Sequence, residues 1–411
     1  MRRVVVRAVI GTVVLVMVAG SARGQSNVGT GPLTGALPDV EPTSSVLELG
    51  RVRVAPGVVV REIGWDSNVF DEPENPKEDF IVSVAPDAAF FTRLRFLRLS
   101  AYAGADFNWF RAYEQENSTG HMLRGRADVL LSRFRPFFGG GHTRSRTRPN
   151  GEIDVRADRE EEEISGGVAF DISRYGQLYG SAYQFKTTFH DAFEEGVDLG
   201  VALNRDSNQY SAGLRTELTP LLSLIASFSF REELFRHAPL RNSEAWYATA
   251  DFRFAPEAVV AGVVSISFEE FTPVNPGVQP FRGIVGHAGL LYSFLELGRI
   301  GFSAVRRHEF SFDAQEAYYI ENGITLSYTH HLFGEVDAQV KGQKTWFDYG
   351  FTLTSPARRE TFDLIGGSVG YNLRNRTRIS LNYEYAQRRS PQLIERNYDR
   401  TRAYVAWTFA Y

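Results

Sequence analysis

The sequence predicts a transmembrane antiparallel β-barrel, on three observations. From about residue 51 onward, apolar and polar residues alternate with a period of two over runs of roughly ten to fourteen, the pattern of strands with two unlike faces. The breaks between runs alternate between short and long, as turns on one rim and loops on the other would. The chain also ends on an alternating aromatic strand, AYVAWTFAY. Hydrocarbon offers backbone N–H and C=O groups no partner, so a sheet in lipid must close on itself, with its polar face turned to the lumen. Counting the runs gives about eighteen strands, with sixteen as the alternative, and about nine long and eight short breaks.

Composition agrees with that class. The 411 residues include 31 Phe, 18 Tyr and 37 Gly, yet mean hydropathy is only −0.24. Past the N-terminus no run approaches the ~18 apolar residues of a helical span. There is no Cys, which excludes disulfides, thiolate metal sites and cysteine nucleophiles.

The N-terminus predicts secretion. Arg2, Arg3 and Arg7 flank the apolar stretch AVIGTVVLVMVAG (8–20), and SARGQ follows with Ala22 and Gly24 at the small-residue positions of a cleavage site. Residues 1–24 therefore read as a cleaved signal peptide for general secretion. No Cys follows the cut, so lipid attachment is not expected. Cleavage removes four arginines and no acids, taking the formal charge from −4 to −8. That acidic balance argues against a nucleic-acid partner, whose phosphates demand basic patches. Residues 25–50, rich in Gly, Pro, Ser and Thr, read as a flexible periplasmic leader, and 51–411 as the barrel.

The first strand ends in VVVREIGW (58–65), and Asp66-Ser67-Asn68 ends it because these side chains bond nearby backbone in turns. An acidic loop follows, then the return strand DFIVSVAPDAAFF (79–91). Trp65 and Phe70 are expected near the lipid–water boundary, where amphipathic rings are favoured. Ser67 has no neighbouring His to activate it, so this is an exit from the membrane rather than a nucleophile.

Later runs set the rule for faces. In 222–232, Leu224, Ala226, Phe228 and Phe230 oppose Ser227, Ser229 and Arg231. In 178–189, Tyr179, Tyr183, Phe185 and Phe189 oppose Gly180, Gln184 and Lys186. In 377–388, Ile379, Leu381, Tyr383 and Tyr385 oppose Arg378, Ser380, Asn382, Glu384 and Arg388. Short breaks are expected at 172–176, 219–221, 295–298 and 375–377, and long ones at 147–160, 190–206, 232–243 and 347–359. In the last strand Val405, Trp407, Phe409 and Tyr411 alternate, like the signal that outer-membrane assembly machinery reads.

The segment GWDSNVF, its acidic loop and its return strand resemble the β-barrel porins encoded with exopolysaccharide export systems. The likeness in pattern spans nearly the whole mature chain, and in sequence it centres on Asp66, Ser67 and Asn68. It implies passage or support of polysaccharide export across the outer membrane, with export components as partners. It brings no catalytic residues with it.

Charged residues on inward-reading faces are the candidate lumen and constriction. The sharpest group is GGGHTRSRTR (139–148) followed by DREEEEISGG (158–167). His142, Arg144 and Arg146 share one face of the first run, and Glu161 and Glu163 one face of the second. If apolar faces meet lipid, these groups line the outer lumen. They would form either an electrostatic constriction or a mutually neutralising ladder that stiffens or closes the wall. The same alternation adds Arg215, Glu217, Arg231, Asp251, Arg253, Arg307, Glu321, Lys341, Arg378, Glu384 and Arg388, a mixed-sign interior of weak selectivity.

Catalysis is not expected. His190 beside Asp191, and the pair His330 and His331, lack the acidic partners of a barrel protease or the Ser of a barrel lipase. The eight His lack zinc-like spacing, and no cofactor is implied. NST (117–119) has the form of a glycosylation acceptor but means little in a Gram-negative setting. The partners expected are outer-membrane lipid and lipopolysaccharide, the assembly machinery and export components.

Overall fold

The computed structural model describes residues 47–410 apart from 295–296, 314, 353–355 and 374–376. The expected signal peptide, most of the expected leader and Tyr411 lie outside the described residues. Eighteen long strands form the wall. They are β1 (Val52–Asp66), β2 (Asp79–Leu94), β3 (Leu97–Phe110), β4 (Ser118–Val129), β5 (Phe134–Thr147) and β6 (Ala157–Asp171). Next come β7 (Gly176–His190), β8 (Arg205–Thr219), β9 (Leu222–Phe235), β10 (Ser243–Phe254), β11 (Val260–Pro273) and β12 (Phe281–Phe294). The last six are β13 (Gly298–Phe310), β14 (Tyr318–Phe333), β15 (Val336–Tyr349), β16 (Arg358–Leu373), β17 (Thr377–Arg389) and β18 (Tyr398–Ala410).

Each strand pairs antiparallel with its chain neighbour, and β18 returns to β1, so the sheet closes. A single closed 18-stranded antiparallel barrel results. Connections after odd-numbered strands are long and those after even-numbered strands are short, as the alternation of breaks predicts. The long loops are tighter than expected: the strands run on to Thr147, His190, Phe235 and Tyr349. The leader also ends early, because Leu47–Leu49 pairs with Val52–Val54 as a short strand.

Closure at the outer end depends on the Asp66-Ser67-Asn68 segment. Ser67 N donates to Thr401 O at 3.0 Å, and Thr401 N donates to Ser67 Oγ at 2.8 Å. Asn68 Nδ2 donates to Asp399 O and Glu72 O, while Asp66 Oδ1 accepts from Asn68 N. The expected turn is present, and it also fastens the first strand to the last. A bulge in β1 after Val60 shifts its register against both β2 and β18.

Strands of 13–16 residues are common in the wall. At ~3.3 Å per residue and a tilt near 45° they stand roughly 30–37 Å tall, against an apolar band of about 25 Å. The outer ends therefore rise above the hydrocarbon. The outward face confirms this: Phe138, Ile164, Phe228, Ile365 and Leu381 are exposed lower down. Nearer the outer rim come Trp65, Trp109, Trp246 and Trp346, within four residues of strand ends. Ion pairs then ring the outside: Arg144–Asp158, Lys186–Glu162, Arg236–Asp206, Lys344–Asp363 and Arg389–Asp399, each within 2.9 Å.

One expected face is reversed. Tyr183 and Phe189 of β7 are buried inside, and Phe185 shares their inward register, while Lys186 and His190 point out. Their aromatic face covers material that fills the outer lumen. Lipid has no part in burying it.

Candidate functional site

The inward face changes character along the strands. On β13, Arg299 and Ser303 are solvent-exposed, as is His287 on β12. On β15, Gln339, Lys341 and Gln343 are half-buried, but Thr345, Phe347 and Tyr349 above them are buried. Along β12 and β13 the lumen is open from the periplasmic end to mid-height; elsewhere Phe91, Ser100, Asp128, Ile225 and Ser380 are buried low on the inward face, and above mid-height the lumen fills.

Loop 148–156 supplies much of that filling, and its sequence explains its reach. Pro149 and Gly151 bend it, and alternating charged and apolar side chains tie it to opposite walls. Gly151 lies against the Phe347 ring, so closely that an added Cβ would sit 2.5 Å from ring carbon. Ile153 joins Ala192, Leu199, Ala202, Leu203, Phe189 and Phe312 in an apolar core across the mouth. Leu199–Leu203 is a short helix, α1, capped by Asp198, whose Oδ1 accepts from Gly200 N at 2.8 Å.

A hairpin is the second plug. The β12–β13 ladder ends at Gly286 and Arg306, although both strands continue toward the mouth. Above that point His308, Phe310, Tyr318 and Ile320 pack against Phe271, Phe281 and Ala245, inward residues of β10–β12. The outer end of β13–β14 has thus left the wall and folded inside. Arg306 stitches the seam, donating from Nε to Ile284 O at 2.9 Å and from Nη1 to Asn322 Oδ1. In front of the hairpin, Val278 bridges Thr352, and Gln279 N donates to Phe351 O.

The two plugs are latched together. Glu152, 1% exposed, accepts from Ser311 Oγ at 2.7 Å and from Phe312 N at 3.1 Å. Arg241 donates to the carbonyls of Ser311, Ala317 and Asp313. Burial pushes the Glu152 carboxyl up to about 7, against the Ser311 hydrogen bond and the Arg396 charge. Burial also drives the Arg241 guanidinium down to about 10, although Glu152 pulls it back up.

A chain of buried ions crosses the mouth behind the latch. Glu195 pairs with Arg396, Arg396 with Glu360, Glu360 with Arg388 and Arg388 with Asp154. Arg148 donates to Asp154 O and pairs with Asp71, which with Asp66 holds Arg400. Of these groups Arg388, Glu360, Arg400 and Asp66 are almost wholly buried. Charges so placed persist only because each meets an opposite partner.

A family model described as Putative beta-barrel porin 2 matches residues 49–411. The chain belongs to that family. It is a porin-like outer-membrane β-barrel. Among solved structures it is similar to OccAB3 of Acinetobacter baumannii (10% identity, TM-score 0.49, covering 87% of this chain and 99% of that one). It is also similar to OpdK of Pseudomonas aeruginosa, solved with vanillate (8%, 0.49, 89% and 100%), and to a BenF-like porin of Pseudomonas fluorescens Pf-5 (10%, 0.49, 89% and 100%). No curated protein matches the chain.

Most residues expected in the lumen of this porin-like barrel face it. Arg215, Glu217, Arg231, Asp251 and Arg253 are inward on β8–β10. Arg307 meets Glu321, Arg378 meets Asp337, and Glu384 meets Lys341, Arg402 and Tyr404. Glu161 and Glu163 are inward too. His142, Arg144 and Arg146 are not, and this corrects the constriction expected there. Their register puts them opposite Glu162, Glu160 and Asp158, on the same outer face as exposed Phe138 and Ile164. Both faces of β5 and β6 are polar above the hydrocarbon, so alternation could not say which was lumen. On this outer face His142 bonds His121 and Glu160, and His190 bonds Glu160 through Nε2. Phe70 is not at the lipid boundary either, because it meets Tyr113 edge to face in a cluster with Val69, Ile81 and Phe110. Trp407 and Phe409 lie on the outer face of β18, opposite Val60 and Val58.

Sequence reading missed the plug residues Glu152, Asp154, Arg241 and Ser311. One signal was present: loop 148–156 carries Ile153 and Val155 among its charges, apolar residues that a solvated loop does not need.

Proposed function

We propose that this protein is a passage for polysaccharide or other polar solutes through the outer membrane, held shut at its outer mouth by loop 148–156 and the infolded β13–β14 hairpin. The reading rests on one observation above all: on β12 and β13 the inward wall is solvated from the periplasmic end to mid-height, and the described obstruction above it is made of loops and one hairpin tip. A solvated stretch of wall suits a conduit, whereas the obstruction is a separate element held by side chains. The export role follows from the resemblance at Asp66, Ser67 and Asn68. With it go a cleaved signal peptide near Gly24, partners among export components, and assembly directed by Trp407, Phe409 and Tyr411. Passage needs no catalytic group.

A second reading has its own support. The buried ion chain favours a permanently closed, structural barrel. Planar-bilayer conductance separates the two. Replacing residues 149–155 by two glycines, or wedging the plug with Gly151→Leu, should convert brief, rare openings into stable steps several-fold larger. A folded protein that stays silent with both residues 149–155 and the hairpin tip 308–319 removed would leave only the structural barrel.

A further inference from the structure

A small cavity lies under the plug, and its lining is unusual for a place of simple packing. It encloses about 70 Å³, room for a few water-sized groups. Four arginines from four strands converge on it: Arg159, Arg205, Arg231 and Arg307. Glu161, Glu233 and Glu309 share the lining, and Glu321 holds Arg307 from behind it.

Two of those guanidiniums, Arg159 and Arg205, hold a buried Nε that meets no acceptor among the described residues. Arg159 is 9% exposed and meets Glu161 through Nη2 at 3.3 Å, while among the described residues no hydrogen-bond acceptor is found for its buried Nε. Arg205 lies 3.3 Å from Glu233 without a hydrogen bond from Nε. Buried donors of this kind favour an acceptor-rich anion, and the planar fork of arginine suits a carboxylate. Phe185, Phe189 and Phe310 add flat apolar faces beside it. Below, the hydroxyls of Ser211 and Ser229, 2.8 Å apart, continue a polar track down β8 and β9 toward the wet lumen.

We propose that this cleft binds the carboxylate of an acidic sugar unit that reaches the plug from the lumen; the sugar class rests on the polysaccharide reading above. The carboxylate enters among Arg159, Arg205 and Arg231. The glutamates accept from ring hydroxyls, and the aromatic faces pack on the C–H face of the ring at the cavity's edge. Arg307, Glu309 and Phe310 belong to the infolded β13 end, so the bound unit would touch the hairpin that closes the mouth.

The test is calorimetric titration of the folded, detergent-solubilised full chain with tetragalacturonate, maltotetraose and sulfate. Tetragalacturonate should bind, and Arg159→Gln/Arg205→Gln should weaken it roughly 10- to 100-fold, as loss of charged hydrogen bonds does. Arg144→Gln, on the outer wall, should leave it unchanged. Should the double variant not fold, Thr187→Trp, which fills the cavity, serves in its place with the same expected loss. Equal binding of maltotetraose would overturn the acid preference, and sulfate competing as well as the oligomer would overturn the sugar. Absence of tetragalacturonate binding, or binding indifferent to the cavity variants, would overturn the site. Binding together with silence of the protein freed of both plugs would retain the site and remove the conduit, and conductance of that protein without binding would do the reverse.

Discussion

The two ends of the lumen handle charge in opposite ways. Near the periplasmic rim Arg135 and Asp171 pair with side chains 42% and 27% exposed. At the mouth Arg388 and Glu360 pair with side chains 1% and 0% exposed. Water screens the first pair and makes each partner dispensable. The second pair has no water to fall back on, so losing one partner strands a buried charge. The rim pair is thus tolerant of change, while in the mouth the loss of any one partner strands another.

The largest expected effect follows from that contrast. Arg388→Ala should destabilise the folded barrel by about 3–5 kcal/mol in urea unfolding, whereas Arg135→Ala should cost no more than ~1 kcal/mol. Equal effects would mean that the mouth is wetter than its burial implies.

A smaller effect concerns pH. The Glu152 carboxyl is held above its ordinary value of 4.5, at about 7, so the closed latch binds a proton that the opened loop releases. Raised acid pKa values stabilise the closed form fully below about 4.5, and that stabilisation is lost as pH rises through 7. Arg396 and Arg241 face this carboxyl and favour its charge, while Glu360 opposes it; burial outweighs them. Burial likewise raises Asp154, against Arg388. Open time in bilayers should therefore be lower at pH 5 than at pH 8, and Glu152→Gln should flatten that dependence.

The smallest effect is expected on the outer wall. Arg144→Ala/Arg146→Ala should leave conductance and ion selectivity unchanged and cost under about 1 kcal/mol, since Arg144 is 54% exposed beside Asp158. Altered selectivity would put these arginines back in the lumen and break the assignment of faces.

Much of this was legible in the chain itself. The period of two, the alternation of short and long breaks and the final aromatic strand were enough for eighteen strands closed into a barrel. They also placed Arg215, Arg231, Arg307, Arg378 and Glu384 inside. The mid-strand residues of β9 and β17 were read correctly because one face there meets hydrocarbon, which tolerates only apolar side chains. At the outer ends that constraint lapses. On β5 and β6 both faces are polar, and on β7 the aromatic face turns inward to cover the plug.

Sequence by itself thus determined the architecture and the strand faces within the membrane, because lipid imposes a strict alternation on every strand that crosses it. Only the tertiary structure decided the register that turns Arg144 outward, the infolding of β13–β14 and the latch at Glu152. Those depend on contacts between residues far apart in the chain, such as Glu152 with Ser311 and Arg388 with Asp154, for which no local period leaves a trace.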